Sequence, residues 1–359
     1  MTRPATRAAL ALALACGAAP GCAREAPAPS RGREVVFAGM CDASAAVPLS
    51  ERLFAVADDE TNALRIYDAD RGGEALAALD LSAGLDLPQR AAKAPKQKPP
   101  KAKAPKVKAP KDPPPAPEVD LEAATRIGDH AFWLSSHARS ASGKDRPERR
   151  RFFATGLPRE GAALEWVGRP YDSLLADLLA DPRYAVFGLA QASERAPKDA
   201  GGLNIEGMTE RPEGGVWIGF RNPVPEGRAL LVPLLDPEQV VAGGRPHFGD
   251  PVRLDLGGLG VRALSRWRGR TLIVAGHTDG GGPSSLYTWD GHEAPRPVNA
   301  LDFRGFNPEA FFAPEERDEI LLLSDDGVRR LKGTECKRLK DVAEKRFRGR
   351  WVALGEGLR

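Results

Sequence analysis

Short hydrophobic runs recur along the chain, each preceded by a turn signal and an earlier half-polar run. The clearest are Phe132-Trp133-Leu134, Val216-Trp217-Ile218, Leu272-Ile273-Val274 and Ile320-Leu321-Leu322. Each follows, by about eleven positions, a polar residue and a small one: Glu122-Ala123, Glu206-Gly207, Arg262-Ala263 and Glu309-Ala310. A weaker copy runs from Ala43-Ser44 to Leu53–Val56. Between the two halves stand Gly128-Asp129, Pro212-Glu213-Gly214, Arg268-Gly269 and Pro314-Glu315, residue types that punctuate strands. Each unit therefore predicts strand, tight turn, strand. Further strands are expected at Ala63–Tyr67, Arg151–Thr155, Ala229–Leu234 and Leu286–Trp289.

The units start 79, 84, 56 and 47 residues apart. A Lys/Pro-rich stretch at 91–118 accounts for 28 residues of the first interval. Tyr171–Ala180, with Leu174, Leu175, Leu178 and Leu179 on one face, predicts a short helix in the second. The underlying period is about 50, a length that suits four-stranded propeller blades. The expected fold is all-β: a propeller of five to six four-stranded blades, with a short helical insertion and one disordered loop. An irregular β-sandwich is the alternative.

Residues 91–118 hold 8 Lys and 9 Pro without an aromatic, so they cannot form a core. The domain reading is a single propeller over 34–359, interrupted by this insert. The insert, chiefly 91–111, is open to anionic envelope surfaces or is a plain solvated spacer; without aromatics to stack on bases, no nucleic acid is expected. Of the net charge of +3, the insert supplies +6 and Arg3 with Arg7 +2, leaving the rest at −5.

Arg3 and Arg7 precede the apolar run Ala8–Ala15, the pattern of an export signal. Residues 1–22 are read as a signal and lipobox segment, with Cys22 (alternatively Cys16) lipidated, and 23–33 as a flexible tether. The expected address is the bacterial cell envelope, held at the membrane by lipid, or the periplasm if the signal is simply cleaved. Cys41 and Cys336 remain, as a disulfide or as two buried thiols.

In a hairpin the start of the first strand lies beside the end of the second. Fifteen residues after each start stand Asp58, His137, Arg221, His277 and Ser324, followed by Asp59, Asn222 and Asp325. Pseudo-rotation would gather these groups at one end of an axial channel. Candidate ligand-binding residues are Glu122, Arg139, Glu206, Arg221, Asn222, Arg262 and Glu309. His137 and His277 are candidate bases. Asp58, Asp59 and Asp325 are candidate ligands for a divalent cation such as calcium. Structural ion pairing, Glu206 with Arg221 for example, is the competing reading. No GxSxG, P-loop, HExxH or CxxC pattern is present.

Gly201–Met208 (GGLNIEGM) and Gly219–Pro223 (GFRNP) resemble the hallmark of a bacterial family catalogued as a domain of unknown function (3616). Leu121–Ala124, Ser136–Arg139 and Ala57–Asn62 are similar to other segments of it. The Glu-Gly-Met piece is more loosely similar to propellers with phytase-like esterase activity. The Lys/Pro insert and Arg262, in place of the Glu of the other full repeats, depart from the pattern. The resemblance implies a secreted or lipid-anchored propeller. The functional expectation is a binding module for a charged small ligand or an envelope component; the alternative is a metal-assisted hydrolase of phosphoesters or related esters.

Overall fold

A computed structural model describes residues 32–58, 60–87, 116–157, 164–299 and 301–354. Cys16, Cys22, Asp59 and the 91–111 segment lie outside these. The described residues form five four-stranded antiparallel blades, fixing the expected five to six at five. Blade 1 comprises Ala45–Pro48, Leu53–Ala57, Ala63–Asp68 and Ala77–Asp80; blade 2 comprises Leu121–Ile127, His130–Ser135, Phe152–Gly156 and Glu165–Tyr171. Blade 3 is built from Asn204–Glu210, Val216–Asn222, Ala229–Leu234 and Val252–Leu254, and blade 4 from Gly260–Trp267, Arg270–Gly276, Ser285–Trp289 and Arg296–Pro297. Blade 5 takes three strands from the C-terminal part, Pro308–Phe312, Glu319–Ser324 and Arg346–Ala353. Its outermost strand is Arg33–Ala38.

The ring is thus closed by the first described strand pairing with the last. Six aromatic side chains pack at this seam, Phe37, Phe54, Tyr67, Phe312, Phe347 and Trp351. Phe37 stacks on Phe347 at 4.8 Å between ring centres. A disulfide between Cys41 and Cys336 ties the same seam.

The first strand of every blade faces its counterparts around the axis. Close approach there needs small residues. A Cβ on Gly207 would meet Val261 at 2.6 Å, and one on Gly219 would meet it at 2.7 Å. The helical insertion appears as Leu174–Ala180 and Leu189–Ala192. Helices this short hold only by packing, and Leu174, Leu175, Leu178 and Leu189 are buried against blades 2 and 3. Among the described residues no helix is long and apolar enough to cross a membrane.

Candidate functional site

Glu122, Glu206, Arg262 and Glu309 occupy the same place in four successive blades, and that place is a β-bulge. The pairing skips Glu122 between Leu121 and Ala123, Glu206 between Ile205 and Gly207, Arg262 between Val261 and Ala263, and Glu309 between Pro308 and Ala310. A bulge re-aims the side chain of the extra residue. Glu122, Glu206 and Glu309 line one axial cavity, joined by Ser44 of blade 1, and Arg262 ion-pairs with two of them. Of the groups expected to converge, Arg262 meets Glu206 and Glu309 directly.

The open mouth expected at this end is replaced by a plug. The axial cavity here is only about 10 Å3, room for one water molecule at most. Arg262 sends Nη1 to Asn307 Oδ1 at 2.5 Å and Nη2 to Glu309, with Nε 3.7 Å from Glu206 Oε2. Arg221 Nη1 donates to Glu206 Oε1 at 2.5 Å, and Asn204 Nδ2 donates to the same oxygen at 2.6 Å. The Arg262 side chain is 6% exposed and that of Glu206 4%. Burial, then the like charge of Arg221, pulls Arg262 down from the ordinary arginine value, opposed by Glu206, Asp325 and Glu122. For Arg221 burial is outweighed by Glu206, and its value rises. Gly276 makes room for this network, since a Cβ there would meet the Arg262 stem at 2.4 Å from its Cδ.

Two expected ligand residues are staples. Arg139 donates from Nε to the Ser193 carbonyl at 2.8 Å, and Asn222 donates from Nδ2 to the Pro197 and Asp199 carbonyls at 2.8 Å each. Both fasten the segment that follows the short helices. Asp58 accepts from the amides of Glu60 and Thr61 at 2.7 and 3.1 Å, so it caps a turn, and burial raises its carboxyl above the usual range. His277 is exposed, and its carbonyl accepts from Arg221 Nε at 3.1 Å. Asp325 accepts from the Gly327 amide at 2.7 Å and from Asn307 Nδ2 at 3.1 Å.

His137 is buried at φ +56°, with Nδ1 2.8 Å from the Ser135 carbonyl and Nε2 without a partner. Burial pushes the imidazole down to about 4. Below pH 6.5 the unfolded chain takes up this proton first, so the neutral imidazole's contribution is intact above pH 6.5 and is lost as pH falls through about 4. The shift corresponds to about 3 kcal/mol. His137→Asn tolerates the left-handed backbone. Denaturant melts should show the stability difference between variant and wild type moving by about that amount in the variant's favour from pH 7 to pH 4; a constant difference contradicts the assignment.

The repeat carries a second polar position that the sequence reading passed over. Just before each start stand Asp42, Asp120, Asn204, Gly260 and Asn307, one residue ahead in the first unit and two in the others. Four of the five are Asp or Asn, and each of these meets the network. Asp42 Oδ1 accepts from Ser44 at 3.3 Å, and Asp120 accepts from Ser136 and, at 2.8 Å, from Arg149. Asp42, Glu309 and Asp325 bring one oxygen each within 4.8 Å of the others. Calcium takes six to eight oxygens, and Arg262 already holds Glu309, so these residues do not form a calcium cage by themselves.

Beside the plug, on the same face, a cleft of about 700 Å3 opens between blades 4 and 5. It is lined by Ser284, Phe303, Arg304, Phe306, Arg329 and Arg348, with Asn307 and Asp325 shared with the axial network. Arg348 is spent on Asp326 through two bonds of 2.8 and 2.6 Å, and Arg304 on Asp302 through two of 2.9 Å. Arg329 reaches Asp326 only at 3.9 Å and is 41% exposed.

No curated protein sequence matches the chain. Similar solved structures include glutaminyl cyclase of Myxococcus xanthus, at 10% identity and TM-score 0.44 over 91% of this chain and 98% of that one. The aldose sugar dehydrogenase of Streptomyces coelicolor, in its PQQ-bound form, gives 12% identity and TM-score 0.41 over 90% and 100%. At these values the likeness carries no functional argument. The family model described as "Protein of unknown function (DUF3616)" matches residues 155–302, which contain the Gly201–Met208 and Gly219–Pro223 motifs, so over that stretch the chain is similar to this family.

Proposed function

We propose that this propeller is a binding module for a small anionic ligand, seated in the cleft beside the plugged axis. The observation that carries it is Arg329, a guanidinium left largely unspent in a ligand-sized cleft whose other two arginines are fixed by carboxylates. Phe303 and Phe306 give the cleft an apolar wall, so a ligand with an anionic group and an apolar body suits it. The plug has a part in this. Through Asn307 it holds Asp325 and the cleft's axial edge in place. The export signal and lipid anchor read in residues 1–22 belong to the same proposal and set this cleft in the cell envelope. Among the described residues the hydrolase alternative finds no complete cation cage and no exposed, oriented base, and we derive no reaction step for it.

The test is calorimetric titration with inorganic phosphate, phenyl phosphate and benzoate. The aromatic anions should bind more tightly than phosphate, and Arg329→Ala should weaken them by ten-fold or more, the usual worth of a charge-assisted hydrogen bond. Absence of binding by all three probes, or equal binding by the variant, overturns the proposal.

A further inference from the structure

The opposite end of the axis is open. Where the first strands of the blades end, the channel widens into a funnel of about 370 Å3 lined by residues of all five blades. It shares Ala46, Ala124 and Leu264 with the plugged end. Each blade contributes one charged side chain. In ring order these are Glu51, Arg126, Glu210, Arg266 and Glu315, so acid and base alternate along the ring except where it closes, where Glu315 and Glu51 are neighbours.

Unlike the charges of the plug, these five are not paired with one another in any ion pair among the described residues. Arg126 spends its Nε on the Gly128 carbonyl at 3.0 Å and its Nη1 on the Pro48 carbonyl at 3.4 Å. Arg266 Nη1 is buried without any hydrogen-bond partner. A buried guanidinium N–H left unmet costs free energy, and the rest of the half-buried Arg266 side chain lines the funnel, where it offers its charge to an anion. Two carboxylates flank it on neighbouring blades, Glu210 and Glu315; burial raises Glu210, the Arg266 charge opposes this and the Glu315 charge adds to it. The volume lies at the small end of ligand pockets.

We infer that the funnel is a second site, separate from the cleft, for a small zwitterion of the amino-acid or dipeptide class. Its carboxylate meets Arg266 and its ammonium lies between Glu210 and Glu315. A monoanion alone would face three carboxylates, and a monocation alone would leave Arg266 unmet; only a ligand with both charges answers both signs.

The experiment titrates the full chain with glycylglycine and alanylalanine and with their N-acetylated and C-amidated forms. The free dipeptides should bind, and each blocked form should lose at least ten-fold. Arg266→Gln and Glu315→Gln should each weaken the free dipeptides by a similar factor. Glu315 is exposed, so its variant keeps the fold even if the Arg266 variant does not. Arg329→Ala, which tests the cleft, should leave dipeptide binding unchanged. No dipeptide binding, or blocked forms that bind as well as free ones, overturns the inference.

Discussion

Replacing Arg262 with methionine is expected to remove about 3–5 kcal/mol of folding stability, read as a lowered denaturant midpoint with an unchanged slope. The guanidinium is buried between blades 4 and 5 and touches Glu309, Asn307 and, more distantly, Glu206. Methionine fills much of its volume but abandons these acceptors. Glu206 keeps Arg221 and Asn204. Glu309 has Arg262 as its ion-pair partner, so most of the loss comes from that carboxylate. Adding Glu309→Gln to the same chain should therefore recover part of the stability, because a neutral amide is less costly to leave poorly paired than a charge. A loss below about 1 kcal/mol, the range of exposed pairs, would mean that the plug is hydrated and open.

The second large effect belongs to the ring seam. Cys41→Ser with Cys336→Ser should cost about 3 kcal/mol and lower the melting temperature by roughly 5–10 °C. The bridge spans 295 residues, and closing so long a loop removes much entropy from the unfolded chain. The loss stays below the full loop-entropy figure because the strand pair Arg33–Ala38 with Arg346–Ala353 and six packed aromatics close the same ring. Far-ultraviolet circular dichroism should remain that of a β-protein. An unchanged melting temperature after reduction or substitution would contradict a bridge that constrains the ring.

The repeat was legible because each blade must bury its own hairpin, and that need writes the same spacing four times. Trp133, Trp217, Ile273 and Leu321 mark it without any structure. The convergence of Glu122, Glu206, Arg262 and Glu309 was also legible, as a consequence of circular symmetry. Their state was not. Whether converging charges stay open to a ligand or consume one another depends on bulges, and a bulge is a pairing property with no residue signature of its own here. Arg139 and Asn222 looked like ligand donors, but the carbonyls they meet lie on the segment after the short helices, which the repeat does not describe. The outer half of the last blade hid for a different reason. Its third strand, RFRGRWVA, carries three arginines that blur the alternation, and its fourth comes from the other end of the chain. The cleft and the far funnel join residues of different blades, Arg329 with Ser284 and Glu51 with Glu315. Nothing local in the sequence ties these together. The Asp or Asn just before four of the starts was a readable signal of the polar network.

The central claim is that charges on successive blades meet at the axis and are spent on one another. A double-mutant cycle between Arg262 of blade 4 and Glu309 of blade 5, measured by urea unfolding, tests it most directly. The account predicts a coupling of about 2 kcal/mol or more, as for contacting buried charges. Additivity within about 0.5 kcal/mol, the behaviour of distant sites, would show that the two side chains do not meet.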